Sequence, residues 1–367
     1  MSGSRFSDRL TRVRAEMERL GIGGLLVGPS ADLRYLVGYD ALPLERLTLL
    51  VLPVAGEPVL VVPELERPRA EDSGAGNVAE IRSFSENDDP FVGVRAALPA
   101  GGERLAVGDR MWATFVLALQ ESFPSAAFAR ASSVTAPLRM RKDTSEMDAL
   151  RRAGAGADRV ASSLAGEKAA GRTELEVSRW ISDALIAQGH ERVNFAIVAS
   201  GPNAASPHHR PNDRVLKAGD SLVCDFGGTV DGYCSDITRT FTVADPTKEF
   251  LQAYAVLAKA QDAAVNAVRP GATAESVDAA ARDVITDAGF GNRFMHRTGH
   301  GIGLEEHEEP YIISGNAMSL EPGMAFSVEP GIYVRGRFGM RIEDIVVVTD
   351  DGVERLNNAP RNPVMLT

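Results

Sequence analysis

The sequence predicts an α/β protein of two domains, residues 1–135 and 136–367. Three observations point that way. Strand-length apolar runs alternate with turns and helical segments over the first part of the chain, as in a sheet covered by helices. A stretch of small residues with mixed propensity, AAFARASSVTAPLRMRKD, then gives way to a capped helix start at Thr144 or Ser145. A chain of 367 residues can bury roughly 70–75% of its unfolded surface, more readily as two domains than as one.

Along the first domain, Phe6 to Leu20 reads as a helix with Leu10, Val13, Met17 and Leu20 near one stripe, ended by Gly21 and Gly23. Strands follow at Gly24 to Val27, Leu47 to Pro53, Pro58 to Val62 and Arg104 to Val107, with helices from about Ala70 and at Met111 to Ser122. In the second domain a helix runs from Thr144 to Ala170 with Met147 and Leu150 inward, and another spans Thr173 to Gln188. The strand Phe195 to Ala199 leads into the polar loop SGPNAASPHHRPNDR. Helices at Lys248 to Val268 and Ala274 to Ala288 precede strands at Met324 to Val328, Gly331 to Arg335 and Gly339 to Val348. The similar order on either side of residue 270 suggests a loose duplication.

Composition excludes several function classes. A net charge of −11 disfavours a nucleic-acid backbone as partner. Two cysteines make no disulfide framework and suit a reducing compartment. The first residues lack the apolar core and cleavage site of a leader, and no apolar run reaches the roughly 18 residues of a membrane span. A soluble, cytoplasmic protein is expected.

The chemistry concentrates in five residues: Asp225 in LVCDFGG, Asp236 in YCSDITRT, His300 in RTGHGIG, Glu329 in SVEPGIY and Glu343 in GMRIEDIVVV. The run Gly227 to Gly232 reads as the turn of a hairpin, with Gly227 and Gly228 as turn residues. Residues 225 and 236 sum to an odd number, so an odd-sum antiparallel register puts both carboxylates on one face. The same parity puts Cys224 on the opposite face and Cys234 on the metal side, against a disulfide between them. Buried carboxylates repel unless a cation sits among them. Four carboxylates and one imidazole suit Mn, Co, Zn or Fe, and bridging acids allow two ions about 3.5 to 4 Å apart.

The stretches DFGGTVDGYCSDITRT, HRTGHGIGLEEHE, FSVEPGIY and GMRIEDIVVVTDDG resemble the M24, or pita-bread, metallopeptidases, in the Xaa-Pro branch that contains prolidase and aminopeptidase P. The region before residue 135, with LRYLVGYD, is compatible with the creatinase-like N-terminal domain of that branch. The resemblance implies a creatinase-like α/β domain followed by a pita-bread catalytic domain, a homodimer, and a proline-containing di- or oligopeptide substrate. It also implies two divalent ions per subunit, Mn(II), Co(II) or Zn(II). Asp236 and Glu343 would bridge them, Asp225 completing one site and His300 with Glu329 the other. Glu329 would handle the proton of the attacking water, and His208 and His307 would face the developing oxyanion.

Two readings stand for His296, a substrate contact or a packed, hydrogen-bonded imidazole; its glycine-rich surroundings favour loop over helix. Arg341, two residues from Glu343 on one strand, would share its face and orient the acids or the substrate. Tyr333 reads as a cleft residue or an ordinary strand aromatic. His209 reads as a solvent-facing loop residue, and Glu305, Glu306, Glu308 and Glu309 as an acidic rim around His307. Gly299, Gly301 and Gly303 let the backbone approach closely; no Lys-Ser or Lys-Thr follows, so they make no phosphate loop. The expected reaction is Xaa-Pro dipeptide hydrolysis, with an aminopeptidase P acting on longer peptides as the alternative. A non-peptide amide hydrolase and a metal-free binding protein on the same fold rank lower.

Overall fold

The computed structural model describes residues 2–98 and 103–366, with side chains from Arg5 onward. The chain divides into two units, residues 1–139 and 140–367.

In the first unit, strands β1 (Gly24–Val27), β2 (Leu49–Pro53), β3 (Val59–Pro63), β4 (Glu80–Phe84), β5 (Arg104–Val107) and β6 (Ala127–Arg130) form one mixed sheet in the order β4-β3-β2-β1-β5-β6. The three strands β1, β2 and β3 are buried along their whole length, which explains why they read as continuous apolar runs rather than alternations. The helix Ser2–Leu20 buries Phe6, Leu10, Val13 and Met17, whereas Leu20 at its last position is half-buried. The helix expected near Ala70 spans Arg67–Asp72, started by a proline in its first turn. The stretch read as a small-residue boundary contains β6 and the helix Ser132–Met140, which crosses residue 135. Val134 and Leu138, four residues apart, make its buried face, and Pro137 lies inside it.

The second unit repeats one plan. Helices Thr144–Leu164 and Glu174–Ala187 precede a sheet of β7 (Arg192–Ser200), β8 (Ser221–Val230), β9 (Tyr233–Cys234) and β10 (Ile237–Val243). Helices Lys248–Ala267 and Ala274–Asp287 precede β11 (Gly299–Gly301), β12 (Glu308–Ile312), β13 (Ala325–Val328), β14 (Gly331–Val334), β15 (Phe338–Arg341), β16 (Asp344–Val348), β17 (Val353–Arg355) and β18 (Val364–Leu366). Thr173 and Thr273 cap the second helix of each pair, and each makes an isolated bridge, to Val215 and Ser319. The first helix starts on Asp143 rather than Thr144, in a capping box with Glu146, and stops at Leu164 just before Gly166.

The sheets run β18-β10-β8-β7, with β9 on β8, and β12-β11-β13-β16-β17; β14 and β15 pair separately. Each helix pair covers the outer face of its sheet. Leu257, Ala264, Val277 and Ile285 pack on Phe326, Val328 and Val346, and Val160, Leu164, Val177 and Ile181 pack on Val198, Cys224 and Phe226. The segment expected as one strand from Gly339 to Val348 is two strands in different sheets, because the chain switches at Ile342–Glu343 and Glu343 bridges Thr238 of β10.

The β8–β10 ladder pairs Asp225 with Thr238 and Phe226 with Ile237, an odd-sum register. Asp236 therefore falls on the face of Asp225. Gly227 and Gly228 lie within β8 and not in the turn, which Asp231 (φ 50°) and Gly232 (φ 85°) make. Their lack of a side chain serves packing instead: a Cβ on Gly227 would stand 2.0 Å from the Ser235 carbonyl oxygen. Cys224 and Cys234 are both free and buried in separate apolar clusters. Among the described residues no helix is long and apolar enough to cross a membrane.

Leu257 is fully buried at the centre of the larger core, so Leu257→Ala is expected to destabilise this unit by about 2–5 kcal/mol. Denaturant unfolding monitored in the second unit checks it; a loss below about 1 kcal/mol would mean that the helix pair repacks freely.

Candidate metal centre

Five places in the chain deliver the acids and the imidazole. Asp225 comes from the middle of β8, and Asp236 from the irregular step between β9 and β10. His300 is the central residue of β11, where its neighbour Gly299 is required: a Cβ there would lie 1.8 Å from the Ser327 carbonyl oxygen. Glu329 follows β13, its N–H donating to the Thr298 carbonyl at 2.8 Å. Glu343 sits at the sheet switch, its N–H donating to the Thr238 carbonyl at 3.1 Å and its Oε2 accepting from Thr238 Oγ1 at 2.6 Å.

Asp236, His300 and Glu343 each present a ligand atom, all within 4.8 Å of one another. His300 Nε2 lies 3.3 Å from Glu329 Oε1 and 3.7 Å from Asp236 Oδ2. On the other side of the ring, Nδ1 lies 3.1 Å from the Gly301 carbonyl oxygen, which can only accept. Nδ1 therefore carries the hydrogen, and the Nε2 lone pair faces the acids. Asp225 Oδ2 takes a hydrogen bond from Arg341 Nη2.

The electrostatics of this cluster are unfavourable by themselves. Burial, then Glu343, Asp225 and Glu329, push the Asp236 pKa well up against the pull of Arg341. Burial followed by Glu329 and Asp225 does the same to Glu343, and burial raises Glu329 to about 7. His300 is lowered to about 3 by burial and by His307, so its ring is neutral. Three buried oxygens, Asp225 Oδ1, Asp236 Oδ1 and Glu343 Oε1, have no hydrogen-bond partner among the described residues.

The neighbouring acid sharpens the point. Asp344 is equally buried but faces the other way, where Arg239 Nη2 (2.8 Å), Arg355 Nη1 (2.6 Å) and Gln261 Nε2 (3.0 Å) saturate it. Adjacent residues of one chain thus have opposite solutions, one met by guanidinium groups and the other left with a bare oxygen. Bare carboxylate oxygens around a neutral imidazole are the donor set of a divalent cation, and the residues present fit one.

Behind this set runs a chain of hydrogen bonds. Arg341 donates from Nε to Thr238 Oγ1 (3.0 Å) and from Nη1 to the Tyr333 hydroxyl (2.8 Å). The Tyr333 hydroxyl lies 2.9 Å from His296 Nε2, whose Nδ1 is 2.7 Å from the Arg297 carbonyl oxygen. Burial lowers His296 to about 3 and raises Tyr333 to about 12. The neutral His296 therefore donates from Nδ1 and accepts the tyrosine hydrogen at Nε2. Tyr333 (1% exposed) and Arg341 (3%) commit polar atoms to Asp225, Thr238 and His296, so that of its two readings Arg341 takes the one that orients an acid. His296 likewise has both nitrogens satisfied within the protein, the packed-imidazole arrangement.

His307 is exposed and packs edge-on against His300, ring centroids 4.0 Å apart. His208 is exposed on the loop after β7, near enough for its charge to act on His296. Two expectations fail. His209 is not solvent-facing: its Nε2 lies 2.8 Å from Oε2 of the fully buried Glu174. Glu308 is not part of a rim, because Lys142 Nζ meets it at 2.8 Å in a buried ion pair. Three supporting residues escape sequence reasoning. Thr238 was reachable, since the β8–β10 register puts it opposite Asp225. Ser327, whose hydroxyl accepts from His300 N (3.0 Å), and Asp278, which accepts from Thr298 N and Oγ1, leave no local signal.

Comparison with known proteins agrees with this geometry. A model of metallopeptidase family M24 matches residues 148–350, and one of the creatinase/prolidase N-terminal domain matches residues 9–141. The chain is 47% identical over 363 residues to a probable dipeptidase PepE of Mycobacterium tuberculosis, covering 98% of this chain and 96% of that one. The crystal structure of dipeptidase PepE from Mycobacterium ulcerans superposes with a TM-score of 0.94 at 47% identity, covering 100% of this chain and 99% of the other. Recombinant prolidase from Thermococcus sibiricus gives 0.92 at 37% identity, covering 98% and 99%.

A cation displaces protons from carboxyls whose pKa values are raised, so uptake of manganese is expected to release protons near pH 6, and fewer as the pH rises past about 7. His300, already neutral, contributes none. Titration calorimetry of the metal-free protein in buffers of different ionisation enthalpy measures this; uptake without proton release at pH 6 overturns the electrostatic reading.

Proposed function

The chain belongs to metallopeptidase family M24, and from that premise we propose that it hydrolyses the Xaa-Pro bond of dipeptides at a two-ion centre. The observation that carries the proposal is the convergence of Asp236, Glu329 and Glu343 on the neutral His300, with Asp225 near enough for its charge to act on each of these acids and three buried oxygens lacking any partner among the described residues. The names of its relatives, dipeptidase and prolidase, support the substrate class.

In this reading Asp236 and Glu343 would hold both ions, with Asp225 completing one site and His300 and Glu329 the other. The ions, Mn(II) or else Co(II) or Zn(II), supply Lewis-acid polarisation of the scissile carbonyl and acidify water. Glu329, steadied by Ser327 Oγ at 3.2 Å, takes the proton of the attacking water and delivers it to the departing proline nitrogen. A peptide nitrogen leaves as an amine and not as an anion, so cleavage cannot proceed without protonating it. His208 and His307, both exposed, would donate to the oxyanion. Arg341, with Tyr333 and His296 behind it, fixes Asp225 so that its other oxygen faces the cluster. We place the enzyme in the cytoplasm as a homodimer.

Rates on Xaa-Pro dipeptides, Xaa-Pro-Yaa tripeptides and Xaa-Ala dipeptides test the specificity. Dipeptides with proline are expected to be cleaved fastest; tripeptide preference would make the enzyme an aminopeptidase P, and equal rates on alanine controls would remove proline selection. Glu329→Gln is expected to lower kcat at least about a hundredfold with little change in KM. Near-normal turnover of that variant at full metal loading would remove Glu329 from the proton path.

A further inference from the structure

Glu174 is a buried carboxylate with no part in the metal centre. It is the first residue of the helix Glu174–Ala187, 0% exposed, where the helix N-terminus favours negative charge. Its Oε1 accepts from Ser200 N (2.7 Å), Ser200 Oγ (2.6 Å) and Asn203 Nδ2 (3.1 Å). Its Oε2 lies 2.8 Å from His209 Nε2 and 3.3 Å from Asn212 N. These donors come from both ends of the segment Ser200–Asn212, so one carboxylate closes the loop on itself.

That loop carries His208. The His208 ring is exposed and makes no hydrogen bond among the described residues, so its location is inherited from the backbone that its neighbour His209 ties down. A second layer braces the same point: Arg214 Nη1 donates to Ser200 Oγ at 2.5 Å and to Asp220 at 2.6 Å. A surface loop would not need a fully buried charge with five donors simply to close, since an exposed turn satisfies itself with water.

We propose that Glu174 and His209 are positioning residues that hold His208 over the reaction site. The proposal rests on the role given to His208 above. It concerns orientation and not binding: removing the His209 anchor lets the His208 ring drift, and a displacement of about 1 Å lowers turnover by up to about 100-fold.

A double-mutant cycle tests it, with kcat and KM measured on an Xaa-Pro dipeptide for His208→Ala, His209→Ala, the double variant and His209→Gln. His209→Ala is expected to lower kcat about 10- to 100-fold with little change in KM, and to have less than about a twofold effect once His208 is alanine. His209→Gln, whose amide can donate to Glu174, is expected to recover most of the loss. Additive losses in the double variant, or an unaffected His209→Ala beside an impaired His208→Ala, overturn the positioning role alone. Full activity of His208→Ala overturns both this proposal and the reading beneath it. Should His209→Ala fail to fold, the same cycle run with Asn203→Ala, which removes a different donor to the same carboxylate, decides by the same criterion.

Discussion

Mutual repulsion among Asp225, Asp236, Glu329 and Glu343 is the constraint on which the rest of this unit turns. Burial and the acids' proximity push Asp236, Glu329 and Glu343 upward, while Arg341 is bonded to Asp225 and Arg297 pulls back on Glu329. Four acids against Arg341 and Arg297 leave an excess of negative charge in a dry place, where a charge is tolerated only when matched. Protonation relieves this at low pH and a divalent cation relieves it at neutral pH. The scaffold is arranged so that the second remedy is available.

That arrangement depends on contacts far from the cluster. Glu343 is aimed by a bridge to Thr238 across the sheet switch, and Asp344 anchors the opposite face through Arg239 and Arg355. Arg239 also donates to the Glu343 carbonyl at 2.6 Å, so one buried guanidinium grips both the side chain of Asp344 and the backbone of Glu343. Gly227 and Gly299 let strands approach within distances that any side chain would forbid. These are elements that keep acids together against their own repulsion, and they account for the number of polar groups in an otherwise apolar core.

Much of this was legible in the sequence because its source is local. Alternation and apolar runs located most strands, the helices starting at 174 and 274 were placed to within a residue, and the odd sum of 225 and 236 offered both aspartates one face, which the β8–β10 register supplies. The losses have a common physical origin. Lys142 and Glu308 are 166 residues apart, and His209 and Glu174 are 35 apart; charged residues that pair at such separations look like surface in any local window. The need for glycine at 227 arises from the Ser235 carbonyl, a neighbour created by the bend after β9. The sheet switch at Ile342–Glu343 escaped because β15 and β16 are both buried along their whole length and only two residues separate them.

The central claim is that two adjacent cations are held by acids from three separate stretches of chain. Anomalous scattering from crystals grown with excess manganese measures it directly. The account predicts two peaks per subunit, both within ligand distance of Asp236 and Glu343, one completed by Asp225 and the other by His300 and Glu329. A single peak, or carboxylates turned apart with no peak among them, would contradict it.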